Sequence, residues 1–169
     1  MENPQKNKET AYVFVRYLKE KYNWNYKIVL PGVKNQPLFD VRLISADSGE
    51  LLLQMKQVVQ GDIEFMRSKK GQPGMGRPGK DKMFKNSELV PLVKKSEEQY
   101  RNEARNLILI LHDDECYLTP CDTSLINKNE FANGSFKGIY MVSPEHKLFG
   151  ADGNKIQNEF VFEIKNAFG

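Results

Sequence analysis

The sequence is poor in the residues that build metal centres and covalent scaffolds: it holds two cysteines, two histidines and one tryptophan in 169 residues. Cys116 and Cys121 stand in CYLTPC, a spacing that fits neither a zinc pair nor a redox CxxC, and no second Cys/His pair completes a tetrahedral site. Two cysteines make no disulfide framework, so reduced thiols are expected. Long apolar runs are also missing. The longest are pieces such as Ala11–Val15 and Leu107–Leu111, far short of the roughly 20 residues that cross a membrane. The opening MENPQKNKE has no signal-peptide core. The expectation is a soluble, intracellular (cytoplasmic) protein with no membrane partner. With 40% apolar and 28% charged residues the chain is not a disordered tail, and one domain over 1–169 with a sizeable core is expected. There is no internal repeat.

Charge is present but unevenly placed. Arg67, Lys69, Lys70, Arg77, Lys80, Lys82 and Lys85 stand against Asp81 alone, a net +6. The rest of the chain, with 18 basic and 21 acidic residues, is net −3. The same stretch holds Gly71, Pro73, Gly74, Gly76, Pro78 and Gly79, which disfavour helix and strand and predict a flexible basic loop over about 67–85 with accessible backbone amides. Such a loop suits a polyphosphate; a solvated surface loop is the plainer reading. GQPGMGRPGK is not a P-loop, because Asp81 follows the GK.

Periodicity supplies the elements. Ala11, Phe14, Val15, Leu18 and Tyr22 recur at helical spacing and predict an amphipathic helix from Lys8 to Tyr22. Tyr26–Leu30 reads as a strand stopped by Pro31-Gly32, Leu38–Ser45 as a second, and Leu51–Val59 as a third, joined to the second through Asp47-Ser48-Gly49. Ser87–Asn106 reads as a long polar helix, with Pro91 either in its first turn or delaying its start. Asn106–His112, apolar and branched, reads as a buried strand, and Gly138–Val142 and Phe160–Ile164 as two more, separated by Gly150, Asp152 and Gly153. The order is α-β-β-β-α-β with a β-rich tail.

Polar residues interrupt the second and third strands. Gln54 and Lys56 share one face of LLLQMKQVV, Leu51, Leu53 and Met55 the other. Asp40 breaks the apolar context of PLFDVRLIS, and a carboxylate in such surroundings needs a cation or several hydrogen bonds. A metal ion is one partner; a plain Asp40–Lys56 ion pair at a sheet edge, with Gln54 facing solvent, is the other.

Pro37-Leu38-Phe39-Asp40, thirteen residues, then Gln54-Met55-Lys56 resembles the PD-(D/E)xK motif of the restriction-endonuclease-like nucleases, in the variant with Gln for the second acid. The order of elements from about Lys8 to Leu111 matches as well. The resemblance implies a central mixed sheet flanked by helices and a Mg²⁺- or Mn²⁺-dependent endonuclease that hydrolyses DNA phosphodiester bonds. It assigns Asp40, Gln54, the backbone carbonyl of Met55 and a helical acid, Glu9 with Glu20 as the fallback, to the metal, and Lys56 to the attacking water. The chemistry suits these residue types: a divalent ion neutralises the phosphodiester and acidifies a bound water, Mg²⁺ takes oxygen ligands, and a lysine stabilises developing negative charge. Replacing Glu by Gln removes a charge from the shell, so Glu9 carries more of the burden. Arg67, Lys69, Lys70, Arg77, Lys80 and Lys82 would hold the DNA backbone, and a homodimer would cut both strands of a duplex.

Other features compete. Asp152 with Glu163-Ile164-Lys165 is a second formal D…ExK match, without the helix and strand that follow the family's motif. His112 reads as a surface or capping residue at a strand end and stays outside the site. Asp113, Asp114 and Glu115 read as a solvated turn. Tyr100, Arg101 and Arg105 could line a nucleic-acid groove if the long helix runs through them; a salt-bridged exposed helix is the alternative. The readings from other classes are an inactive nuclease-fold module that binds nucleic acid or a protein, and an interaction protein whose basic loop meets an acidic partner.

Overall fold

A computed structural model describes residues 4–30, 39–58, 86–112, 123–143, 147–149, 155–157 and 159–169. Helix α1 (Pro4–Tyr22) leads into strands β1 (Lys27–Val29), β2 (Val41–Ser45) and β3 (Gly49–Gln57). Helix α2 (Asn86–Tyr100) and a 3₁₀ segment (Arg101–Asn106) cross to β4 (Leu107–His112). A short 3₁₀ turn (Lys128–Phe131) precedes β5 (Gly138–Ser143), followed by β6 (Lys147–Phe149), β7 (Lys155–Gln157) and β8 (Phe160–Lys165).

The six-stranded sheet runs β1-β2-β3-β4-β5-β8. β1, β2 and β3 form an antiparallel meander, β3, β4 and β5 are mutually parallel, and β8 returns antiparallel on β5. The chain is thus α/β with a mixed sheet. Each face carries its own apolar cluster. Ala11, Phe14 and Leu18 of α1 pack with Leu53, Met55, Ile108, Ile110 and Tyr140. Leu89 and Val93 of α2 pack with Leu107, Leu109, Leu111, Ile139 and Met141. All six residues of β4 and of β5 are buried, as strands covered on both faces must be. Each fully buried Leu or Phe contributes about 1.5–3 kcal/mol by leaving water. Helix α1 touches both edge strands, β1 and β8.

Local chemistry explains the element ends. Pro4 opens α1, where a missing N–H costs no helical bond. Asn23, at φ 60°, closes it: its N–H donates to the Lys19 carbonyl at 2.9 Å, and Lys19 Nζ donates to Asn23 Oδ1 at 2.7 Å, a left-handed cap. Gly49, at φ +86°, lets the β2–β3 hairpin turn within three residues.

Several sequence expectations are corrected. The helix expected over Ser87–Asn106 starts at Asn86 and stops at Tyr100, because Arg101 takes φ 48° and the chain tightens into a 3₁₀ segment; Arg101 and Arg105 therefore share no α-helical face. Pro91 lies inside α2 beyond the first turn, since Asn86 already belongs to the helix. The Asn86 side chain fixes that start: Nδ2 donates to the Asn127 carbonyl and Oδ1 accepts the Asn127 N–H, both at 2.8 Å. β6 and β7 pair with each other across the glycines that read as a separator. His112 is buried at the end of β4, 5% exposed, because β4 lies between β3 and β5.

Candidate active site

Strand β2 enters its ladder at Val41, which pairs with Leu53. The residue before it departs from that register. The Asp40 N–H donates to the Leu53 carbonyl at 2.9 Å, so Asp40 and Val41 both face Leu53, the arrangement of a β-bulge. Alternation breaks at the same point: Phe39 packs on the α2 side and Val41 on the α1 side, whereas residues two apart in a regular strand share a face. The Asp40 carboxylate consequently lies along the strand pair, and its Oδ2 accepts the Met55 N–H at 2.8 Å.

Strand β3 keeps strict alternation around this carboxylate. Leu51, Leu53 and Met55 turn into the α1-side core, while Leu52 and Val58 pack on the α2 side. Gln54 and Lys56 therefore face the α2 side and flank the amide on which Asp40 sits. Gln54 lies opposite Leu109 of β4, 9% exposed. Lys56 lies opposite Leu111 and is half-buried. Among the described residues no ion pair joins Asp40 to Lys56. The edge ion pair with a solvent-facing Gln54 is thus not formed, and the reason is topological: β3 is an interior strand, with β2 and β4 on its two sides.

Helix α1 does not bring its acids to these groups. Its inward stripe is Asn7, Thr10, Ala11, Phe14 and Leu18, all buried, whereas Glu9 and Glu20 are exposed. The stripe covers the face opposite Gln54 and Lys56. Met55 buries its side chain fully and gives its amide to Asp40. The basic residues Arg67, Lys69, Lys70, Arg77, Lys80, Lys82 and Lys85, the acidic run Asp113–Glu115, both cysteines and Asp152 lie outside the described residues.

The remaining groups include two oxygen donors. Asp40 Oδ1 and the Gln54 amide oxygen are both of the kind Mg²⁺ accepts. Among the described residues no three His, Cys, Asp or Glu side chains gather around one point. A cation held here would keep most of its waters, as Mg²⁺ commonly does.

The second D…ExK match has structural work to do. Glu163 Oε2 accepts from Lys21 Nζ at 3.1 Å and from the Tyr17 hydroxyl at 3.4 Å. Lys165 Nζ donates to the carbonyls of Gly134 and Phe136 at 2.7 and 2.6 Å. The two side chains serve different parts of the fold.

Sequence reasoning missed Asn7, 7% exposed, and Thr10 and Ser143, whose buried hydroxyls have no hydrogen-bond partner among the described residues. A signal existed for the first two: at i and i+3 they extend the apolar stripe toward the helix N-terminus. Comparison with family models, with curated proteins and with solved structures finds no match to this chain.

Proposed function

We propose that this chain is a metal-dependent nuclease of the restriction-endonuclease-like class, hydrolysing phosphodiester bonds of DNA. The observation that carries the reading is the seating of the Asp40 carboxylate on the Met55 amide, between Gln54 and Lys56. The element order supports it too: a helix, an antiparallel meander, a crossover helix and a strand parallel to the third. Asp40 and Gln54 would hold Mg²⁺ or Mn²⁺, which supplies charge neutralisation and a more acidic bound water. The Met55 N–H orients the carboxylate, leaving its other oxygen free. Lys56 orients the attacking water and stabilises the charge that builds on the phosphoryl oxygens. The stretch 67–85 would bind the backbone through Lys and Arg without reading sequence. A homodimer would place two such sites on the two strands of a duplex.

A second reading is favoured by the exposed position of Glu9: with one acid at the site, the fold would bind nucleic acid or a protein partner without cutting. Incubating plasmid and single-stranded DNA with Mg²⁺ or Mn²⁺ separates the two. Cleavage that drops at least about 100-fold in both Asp40→Ala and Lys56→Ala, in line with the loss of one preorganised electrostatic group, is the expected result. Binding without cleavage selects the second reading, and cleavage that survives both substitutions refutes the site. A light-scattering mass of one chain at working concentration refutes the dimer.

A further inference from the structure

Residues two apart on a strand share a face, and the β1-β2-β3 meander turns one face to α1: Ile28, Val41, Leu43, Leu51 and Leu53 all pack on that side. The opposite face therefore carries Lys27 and Val29 of β1, Arg42 and Ile44 of β2, and Glu50 and Leu52 of β3. It continues along β3 to Gln54 and Lys56. Helix α2 packs Leu89 and Val93 with residues of β4 and β5 and leaves Lys27, Val29 and Glu50 exposed. The meander thus presents an open sheet face that runs without a break into the candidate site.

The register places a cation beside that site. Arg42 lies opposite Leu52, and Leu52 and Gln54 are consecutive side chains on one face, about 6.7 Å apart along the strand. Arg42 therefore stands one step before Gln54, and Lys56 one step beyond it. Arg42 holds an anion already: its Nε and Nη2 both donate to Glu50 Oε2. A guanidinium fork matches carboxylate and phosphate oxygens alike. Both side chains of this pair are 43% exposed, and so exposed a pair holds weakly. Lys27 lies in the same rung as Glu50, through Ile44, so cations outnumber acids on this part of the face.

We propose that Arg42 is a phosphate-binding residue: a backbone phosphate of bound DNA, flanking the one at Gln54 and Lys56, displaces the Glu50 carboxylate from its guanidinium. The inference deepens the nuclease reading and rests on it for the ligand. Glu50 returns to water when displaced, so it acts as a built-in competitor that weakens binding. Arg16 and Glu159 form an exposed pair of the same kind, but Arg16 belongs to α1, on the other side of the sheet, and supplies the internal control.

The test is binding of a labelled duplex by fluorescence anisotropy in EDTA, at about 50 and about 200 mM salt, where counterion release sets the salt slope. Arg42→Ala is expected to weaken binding about tenfold at the lower salt concentration, as loss of a charge-assisted hydrogen bond does, and to reduce the salt slope by about 1. Arg42→Lys, which keeps the charge but not the fork, should keep the slope and recover part of the affinity. Glu50→Gln should tighten binding by about threefold or more, because the competing charge is gone. Arg16→Ala should bind as wild type does. Wild-type affinity and slope in Arg42→Ala, binding by Glu50→Gln no tighter than wild type, or an equal loss in Arg16→Ala each overturns the inference. If Asp40→Ala and Lys56→Ala still abolish cleavage in that case, the nuclease reading stands without it. The expected Arg42 and Glu50 effects in a protein that binds but does not cleave with metal keep the inference and overturn the nuclease reading. A wild-type protein that neither binds the duplex nor cleaves it overturns both.

Discussion

The two ends of the central sheet are built differently. At the amino ends of β3, β4 and β5, buried and half-buried polar groups are matched. The Tyr140 hydroxyl, wholly buried, accepts the Ala167 N–H at 3.0 Å. Lys165 caps two loop carbonyls, and the Tyr26 hydroxyl donates to the Ser48 carbonyl at 3.2 Å. Lys21 joins Tyr17 and Glu163. Tyr22 stacks on Trp24, and Phe168 meets both rings edge-on. At the carboxyl ends, the Thr10 and Ser143 hydroxyls are buried with no partners among the described residues. An unmet buried polar group costs about 1–3 kcal/mol. Among the described residues the unmet buried hydroxyls lie at the carboxyl end and none at the amino end, which is the end that holds the fold.

Substitutions can break or sharpen this contrast. The largest effect on stability is expected from Gly138→Ala, since a Cβ there would lie 2.4 Å from the Ala167 Cβ. Crowding at the amino end should lower stability by about 1–3 kcal/mol, read as a shift in the urea midpoint, while DNA binding by the refolded protein stays the same. A neutral outcome would mean that the C-terminal segment is not fixed against β5.

At the carboxyl end the sign should reverse. Thr10→Val removes an unpartnered hydroxyl at nearly constant volume and should raise stability by up to about 1 kcal/mol. A loss of stability in the same urea titration would show that the hydroxyl is satisfied after all, and the contrast would fail.

A pH titration probes the amino end. Burial pushes the Tyr140 phenol above its ordinary range, against the smaller opposing pull of its bond to Ala167. Burial raises Tyr17 and Tyr26 as well. Lys21 is held above the usual lysine range by its bonds to Tyr17 and Glu163. Each group keeps its proton longer in the folded chain than in the unfolded one. Their contribution is therefore complete below pH about 10, where the unfolded phenols titrate, and is lost as pH rises beyond it. Denaturant midpoints at neutral and alkaline pH should show this fall. Tyr140→Phe should reduce its steepness, although it lowers stability at neutral pH by leaving the Ala167 N–H unpaired.

The smallest effect is expected at the surface. Arg16 and Glu159 are bidentate, at 2.6 and 3.1 Å, but Arg16 is about half exposed. Arg16→Ala should cost less than about 1 kcal/mol. A larger loss by thermal melting would show that the pair does more than align α1 on β8.

Elements that state themselves in a few neighbouring residues were legible. The 3.6-residue stripe of α1, the alternation of β3 and the apolar run of β4 appear in the structure within a few residues of where the sequence puts them. The hairpin at Asp47-Ser48-Gly49 follows from one glycine in the left-handed region. The end of α2 was not legible, because Tyr100-Arg101 carries no stop signal, and a non-glycine residue at φ 48° is uncommon. β6 and β7 were hidden by their length, three residues each. At the candidate site, the residue types of Asp40, Gln54 and Lys56 were visible, but not the bulge that turns Asp40 onto the Met55 amide. Nor could the pattern tell that Glu9 faces away while Asn7 faces in, since both lie in one turn of the same helix.

Backbone period and side-chain chemistry are local properties, so the sequence by itself determined which segments are helix or strand and which polar residues interrupt apolar ones. Partner choice is not local. The order β1-β2-β3-β4-β5-β8, the burial of Gln54 inside the sheet and the meeting of α1 with the carboxyl ends of the parallel strands depend on which apolar faces cover one another. That is settled only when the whole chain buries them together.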